Sequence, residues 1–213
     1  MARHGETRQR IIQEAREAFN ALGYRQVTVA ALAERLAMSE GNLWYHFKTK
    51  AALLDALQNA FAAETRAHLE AFDRGSDPVT AYADFLLTWR TLFSRYLFVF
   101  RDRSQYGTNS PELVAAFPSL YSALEERVAT LLRALIDHGA LELAQEDVDV
   151  VAMNLILVTR FYFEFQNERL SPSAVNAQAQ PDEAILHHFT LLKDRLRPDV
   201  EAAIRAKLAA SAG

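Results

Sequence analysis

The chain has 213 residues, half of them hydrophobic, with 23 Lys and Arg against 27 Asp and Glu for a formal net charge of −4. That length and apolar content can supply a sizeable core, and the lack of any cysteine excludes disulfides, thiolate metal sites and cysteine nucleophiles. A reducing, cytoplasmic compartment is expected, because the N-terminal MARHGETRQRIIQEAREAF has no signal-peptide pattern and no run reaches the roughly 20 apolar residues of a membrane span.

The charge is unevenly spread. Residues 1–50 hold eight Lys and Arg against five Asp and Glu, and the remainder holds 15 against 22. Phosphate binding is local, since charges are screened within about 8–10 Å at physiological salt. The N-terminal quarter can therefore face a polyanion although the whole chain is acidic.

Apolar residues recur at steps of three and four throughout, with no alternating segment, so the pattern predicts an all-α fold. Helices are expected at 4–22, 28–35, 39–45, 49–73, 78–104, 110–117, 119–138, 146–169, 181–196 and 198–209. Gly23, Gly75 and Gly139 follow helical runs where left-handed caps would sit, and Pro78, Pro111 and Pro181 stand at helix starts. Ser110 is a candidate N-cap with Glu112 in the turn behind it, and residues 171–180 read as an irregular polar segment.

In the first helix Ile11, Ile12, Ala15, Ala18, Phe19 and Leu22 share one apolar face; Val29, Leu32, Ala33 and Leu36 form that of the second. The short Ala37-Met38-Ser39 link then suits the turn of a helix-turn-helix, with Thr28 and Ser39 as N-caps of its two helices. Ser39, Gly41 and Asn42 make the start of the third helix small and polar, so its backbone can approach DNA and Asn42 can reach a base edge or phosphate. Leu43 and Phe47, four apart, turn to the core, while Tyr45, His46, Lys48 and Lys50 present groups suited to phosphate oxygens. Some of these have blander readings: Glu40 either accepts from a cytosine amino group or favours the helix dipole, His46 is half-buried against the next helix, and Lys48 is a solvated charge.

Residues 7–54 resemble the DNA-binding region of the TetR family of bacterial transcriptional regulators. The resemblance rests on TRQRIIQEAREAFNALGY from Thr7 and TVAALAERLAMSEGNLWYHFKTKAALL from Thr28. It implies a three-helix DNA-binding head at 1–50 and a helical ligand-binding and dimerisation domain at 51–213. It further implies a homodimer that binds a palindromic double-stranded DNA operator and is released by a small-molecule effector. By position, Thr28, Tyr45, His46 and Lys50 are then phosphate contacts, and Ser39, Glu40, Gly41, Asn42 and Trp44 lie near bases. Trp44 stands where many relatives have tyrosine.

Further along, Tyr82, Phe85, Trp89, Phe93, Tyr96 and Phe100 fall at steps of three and four and extend to Arg103. Such a face is either core or in part the wall of a ligand cavity, which needs mainly apolar lining and few polar groups. The expected ligand set is Trp89, Phe93, Tyr96, Phe100 and Arg103, joined by Asn154 and Arg160 from the 146–169 helix. Arg160 and Glu164 are four apart and either pair with each other or leave the arginine facing a ligand.

The 146–169 helix is apolar nearly all round, which signals packing on several sides. The family resemblance assigns it and 181–196 to the dimer interface, with Val151, Leu155, Val158, Tyr162, Ile185, Phe189, Leu192 and Leu196 as the expected contacts.

Catalysis finds no support: GxGxxG, GxxxxGK[ST], GxSxG and HExxH are all absent, and the adjacent His187 and His188 point about 100° apart, a poor metal pair. No cofactor, metal or membrane partner is expected. The alternative to a ligand-responsive repressor is a DNA-binding regulator that is constitutive or controlled by a protein partner.

Overall fold

The structure is a computed structural model and describes residues 2–71, 77–106, 108–169 and 180–210. Among these residues the chain is helical, with an isolated bridge between Leu141 and Leu196 as its β pairing.

The first three helices are α1 (Ala2–Leu22), α2 (Val29–Arg35) and α3 (Glu40–His46). The α1 face that buries Ile11, Ala15, Ala18 and Phe19 packs with α2 and with α4 (Lys50–Glu70). Each following start is capped as the side chains dictate: Thr28 accepts from Ala31 N–H at 3.1 Å, Ser39 from Asn42 N–H at 3.2 Å and Thr49 from Ala52 N–H at 2.9 Å. The turn between α2 and α3 closes with Met38 N–H on Ala33 O and Ala37 N–H on Glu34 O, both at 3.0 Å. This is a Schellman end whose left-handed residue is Ala37, at φ 52°, where glycine is the usual occupant. Gly139, at φ 67°, fills the same role after α8 (Pro111–Asp137).

Behind α4 come α5 (Pro78–Arg95), α6 (Leu97–Arg101) and α7 (Arg103–Tyr106), then α8, α9 (Val148–Arg169), α10 (Pro181–Thr190) and α11 (Pro198–Ala210). Proline opens α5, α8 and α10 as expected, and Ser110 caps α8 by accepting from Leu113 N–H at 3.1 Å. Helix α8 packs on α4, α5 and α9; α10 packs on α9 and α5. One continuous core results, with Phe19, Tyr82, Phe98, Phe163 and Phe189 among its fully buried side chains. The expected cap at Gly75 and most of the 171–180 segment lie outside the described residues.

Three expected boundaries are corrected. The 78–104 helix breaks at Tyr96, at φ −122° and ψ 34°. Asn20 of α1 makes the break possible: its amide donates to Ser94 O at 3.2 Å and Arg95 O at 2.9 Å, and its oxygen accepts from Phe98 N–H at 3.1 Å. Those bonds satisfy backbone groups that the lost helical turn leaves open. Conversely, the expected separation of 110–117 from 119–138 does not occur, because Pro118 is held inside α8. It removes one ladder bond, the one to the Val114 carbonyl, where both Pro118 and Val114 are exposed, and the helix as a whole is held by packing on α4, α5 and α9. Finally, 181–196 stops at Thr190, and a 3₁₀ turn at Lys193–Arg195 turns the chain so that Leu196 pairs with the 140–142 segment. Glu142 N–H to Arg195 O at 2.8 Å and Arg197 N–H to Ala140 O at 3.0 Å hold that crossing.

Candidate nucleic-acid interface and buried cavity

Helix α3 buries Leu43 and turns its other side outward. Ser39, Glu40, Gly41 and Asn42 are exposed, Trp44 and His46 are half-buried, and Tyr45 is 66% exposed. Thr28 is exposed at the start of α2, and Lys48 follows α3 with its ammonium 5.9 Å from the Tyr45 ring centre. Ser39 through Lys48 thus occupy one short stretch around the second helix of the helix-turn-helix, and Thr28 opens the helix before it. Lys50 differs. Its ammonium sits 4.2 Å from the Tyr24 ring centre and 5.9 Å from that of Phe19, and burial lowers its pKa from the ordinary lysine value. The side chain thus covers the head's core while keeping its cation at the surface edge. Arg8 lies over Phe47 at 4.8 Å, and Glu14 of α1 pairs with Arg35 of α2, tying the basic head together.

A cavity of about 80 Å³ lies in the helical body. Of the expected ligand residues, Trp89, Phe93, Phe100 and Arg160 line it. Three are absent from its wall. Tyr96 caps α5 and donates its hydroxyl to Glu64 at 3.0 Å. Arg103 donates to Glu164 at 3.1 Å, and Asn154 is exposed on the outside of α9. The Arg160–Glu164 pair forms at 3.2 Å, and Arg160 also donates from Nε to the Tyr121 hydroxyl at 3.0 Å.

Other lining residues escaped the sequence reading: Phe61 and Thr65 of α4, Phe117 and Tyr121 of α8, Thr159 of α9 and His188 of α10. The signal for Thr65 was a polar residue within the buried α4 run of Phe61, Thr65 and Leu69, each four apart. Its hydroxyl is buried with no hydrogen-bond partner. His188 is buried and linked on both sides, with Nδ1 3.1 Å from Thr159 Oγ1 and Nε2 3.1 Å from the Tyr82 hydroxyl. Thr159 uses its one hydroxyl proton on Leu155 O at 2.7 Å, so it accepts from His188 Nδ1–H and leaves Nε2 to accept from Tyr82. The imidazole is therefore neutral, and burial pushes its pKa down to about 4.

The short helix α6 joins the cavity to the head. Val99 and Phe100 line the cavity, and the next residue, Arg101, donates at 2.8 Å to both Phe19 O and Asn20 O at the end of α1. Asp102 accepts from Arg101 and from Tyr24 N–H at 2.8 Å.

The expected interface residues divide differently. Leu155, Tyr162, Ile185, Phe189, Leu192 and Leu196 are buried within the chain itself, and Val151 and Val158 are half-buried. The apolar side chains left at the surface of α9 are Val150, Met153, Leu157, Phe161 and Phe165, with Leu186 exposed on α10. Steps of three, four, four and four keep the α9 set on one face, about 100° round the helix from the expected one.

Among the described residues no helix is long and apolar enough to cross a membrane, and no group of three His, Asp or Glu side chains is placed to hold a metal ion. Residues 60–204 match the TetR family described as bacterial transcriptional repressors, and residues 11–57 match bacterial regulatory proteins of the tetR family. The chain is 37% identical over 134 residues to the class C tetracycline repressor protein of Escherichia coli, covering 62% of this chain and 54% of that one. It is 35% identical over 110 residues to the class A tetracycline repressor from transposon 1721, covering 50% and 49% respectively. It thus spans about half the length of these two relatives. A TetR-family transcriptional regulator from Marinobacter aquaeolei VT8 shares the fold with a TM-score of 0.73 at 21% identity, covering 95% of this chain and 97% of the other. CprB of S. coelicolor A3(2) does so with a TM-score of 0.68 at 18% identity, covering 98% and 99%. From its matched regions, its helix-turn-helix and the helical body behind it, the chain belongs to the TetR family of bacterial transcriptional regulators.

Proposed function

We propose that the protein is a ligand-responsive transcriptional repressor that binds a palindromic operator as a homodimer and leaves it when a small molecule occupies the cavity. The observation that carries this reading is the position of α6. Two cavity residues, Val99 and Phe100, are followed without a break by Arg101 and Asp102, which hold the end of α1. A ligand that moves α6 changes the seat of the head, and its differential affinity for the two head positions sets how far DNA affinity falls. The exposed polar start of α3, with Ser39, Gly41 and Asn42, supports major-groove reading, and Thr28, Tyr45, Lys48 and the edge-lying Lys50 support phosphate contact.

A homodimer is supported by the exposed stripe of Val150, Met153, Leu157, Phe161 and Phe165, whose ends are 63% and 61% exposed. A contiguous apolar stripe on a soluble helix marks an association surface. Two copies meeting there present two heads, and an operator with half-sites about 34 Å apart or a multiple of a helical turn matches them.

The test is selection from a randomised double-stranded DNA pool, with affinity then followed against salt. Enrichment of a palindrome bound with a steep salt dependence is the expected outcome. Recovery of no preferred sequence, or of a single unpaired half-site, overturns the operator reading.

A further inference from the structure

Resting on the reading of the cavity as the effector site, we propose that its ligand is a neutral aromatic molecule carrying one hydrogen-bonding oxygen, the ring against Phe61, Trp89, Phe93 and Phe100 and the oxygen on Thr65.

The aromatic side chains form one joined wall: Phe93 and Phe100 touch edge to face with ring centres 4.8 Å apart, and Phe61 and Phe100 do so at 5.4 Å. A flat ring laid against this wall gains area burial together with further aromatic contacts. A space of about 80 Å³, set against the roughly 10–15 Å³ that one water needs, corresponds to a molecule of one or two rings.

Charge decides the class. Among the described residues no Asp, Glu or Lys lines the cavity, and the one ordinarily charged group among them, Arg160, is already engaged by Glu164 and the Tyr121 hydroxyl. Glu164 is held in turn by Arg103, so an anion must compete for Arg160 with a carboxylate fixed from two sides. A cation fares no better: the Arg160 guanidinium lies 5.7 Å from the Phe100 ring centre and repels a second positive charge at that face. The polar atoms of His188 are saturated by Thr159 and Tyr82. Thr65 remains. It is 4% exposed, lines the cavity one helical turn beyond Phe61, and its hydroxyl has no hydrogen-bond partner, an arrangement that carries a desolvation cost until a ligand oxygen removes it.

The experiment compares four probes sharing one ring system, 1-naphthol, naphthalene, 1-naphthoate and 1-naphthylmethylammonium, by calorimetry on the full chain, its Thr65→Val and Thr65→Ser variants, and Arg160→Gln. The expected result is binding of 1-naphthol at least tenfold tighter than either charged probe. Thr65→Val weakens 1-naphthol by roughly fivefold, the size of one neutral hydrogen bond, and leaves naphthalene unchanged, while Thr65→Ser restores it. Tighter binding of a charged probe, an unaffected 1-naphthol in Thr65→Val, loss of 1-naphthol affinity in Arg160→Gln comparable to that in Thr65→Val, or no binding by any probe overturns the proposal. A separate readout keeps the two readings apart: if 1-naphthol binds in the Thr65-dependent way yet leaves DNA affinity unchanged, the ligand class stands and the effector reading fails.

Discussion

Arg101 and Asp102, neighbours in sequence, form an ion pair at 2.7 Å with side chains only 1% and 0% exposed. Such a pair survives burial only because its remaining hydrogen-bonding capacity is used, here by the carbonyls of Phe19 and Asn20 and the amide of Tyr24. Asp102→Asn leaves the guanidinium buried without a counter-charge and is expected to cost about 3–5 kcal/mol, read as a lower urea midpoint by circular dichroism. An unchanged midpoint would show that the pair contributes nothing to the seat of the head.

Ala37 holds a left-handed conformation that is costly for any residue with a Cβ. Ala37→Gly is therefore expected to stabilise the head by about 0.5–1 kcal/mol, the relief of strain exceeding glycine's entropy cost. Differential scanning calorimetry checks this, and a lower melting temperature would contradict it.

On DNA, Lys48 and Tyr45 are cleaner probes than Lys50, whose removal also uncovers Tyr24 and Phe19. Lys48→Ala with Tyr45→Phe is expected to weaken binding to all sequences and to reduce the salt slope by about 1. Asn42→Ala is expected instead to change the ranking of sites. Anisotropy titrations at several salt concentrations separate the two, and parent-like binding by both variants would remove this face from the interface.

The buried, neutral His188 makes stability fall with acid. The unfolded imidazole takes its proton near 6.5, whereas the folded one resists it down to about 4. Between those values the unfolded state binds the extra proton, so stability present above pH 6.5 is lost as pH falls towards 4, by up to about 3 kcal/mol. His188→Gln should flatten the curve in that window, and denaturant melts at pH 4.5 and 7.5 for parent and variant measure it.

If the α9 stripe joins two copies, Leu157→Lys with Phe161→Glu places charges at its centre and is expected to yield monomers by light scattering, with retained helicity. Surface substitutions of this kind leave each copy's own core untouched, since both side chains are exposed within one copy.

The head was legible because its determinants are local: Thr28 and Ser39 cap the helices that follow them, and the 37–39 link fixes the turn. The break at Tyr96 was illegible from its own neighbourhood, where the aromatic spacing continues unbroken to Phe100; its cause is Asn20, more than seventy residues away. Periodicity also gave no phase for α9, since a helix apolar all round offers several faces, and the positions of α6, α8 and α10 decide which is buried. The cavity was half-visible for a related reason: its aromatic wall lies along α5 and α6, but Thr65, Tyr121 and His188 reach it from three other helices.

The bonds from Asn20 to Ser94, Arg95 and Phe98, together with those from Arg101 to the end of α1, bear on how far the chain is modular. Cutting at residue 50 and grafting the first three helices onto another regulator's body would sever all of them at once. A workable chimera must carry the 94–102 segment with the head, so the unit that can be exchanged is discontinuous in sequence.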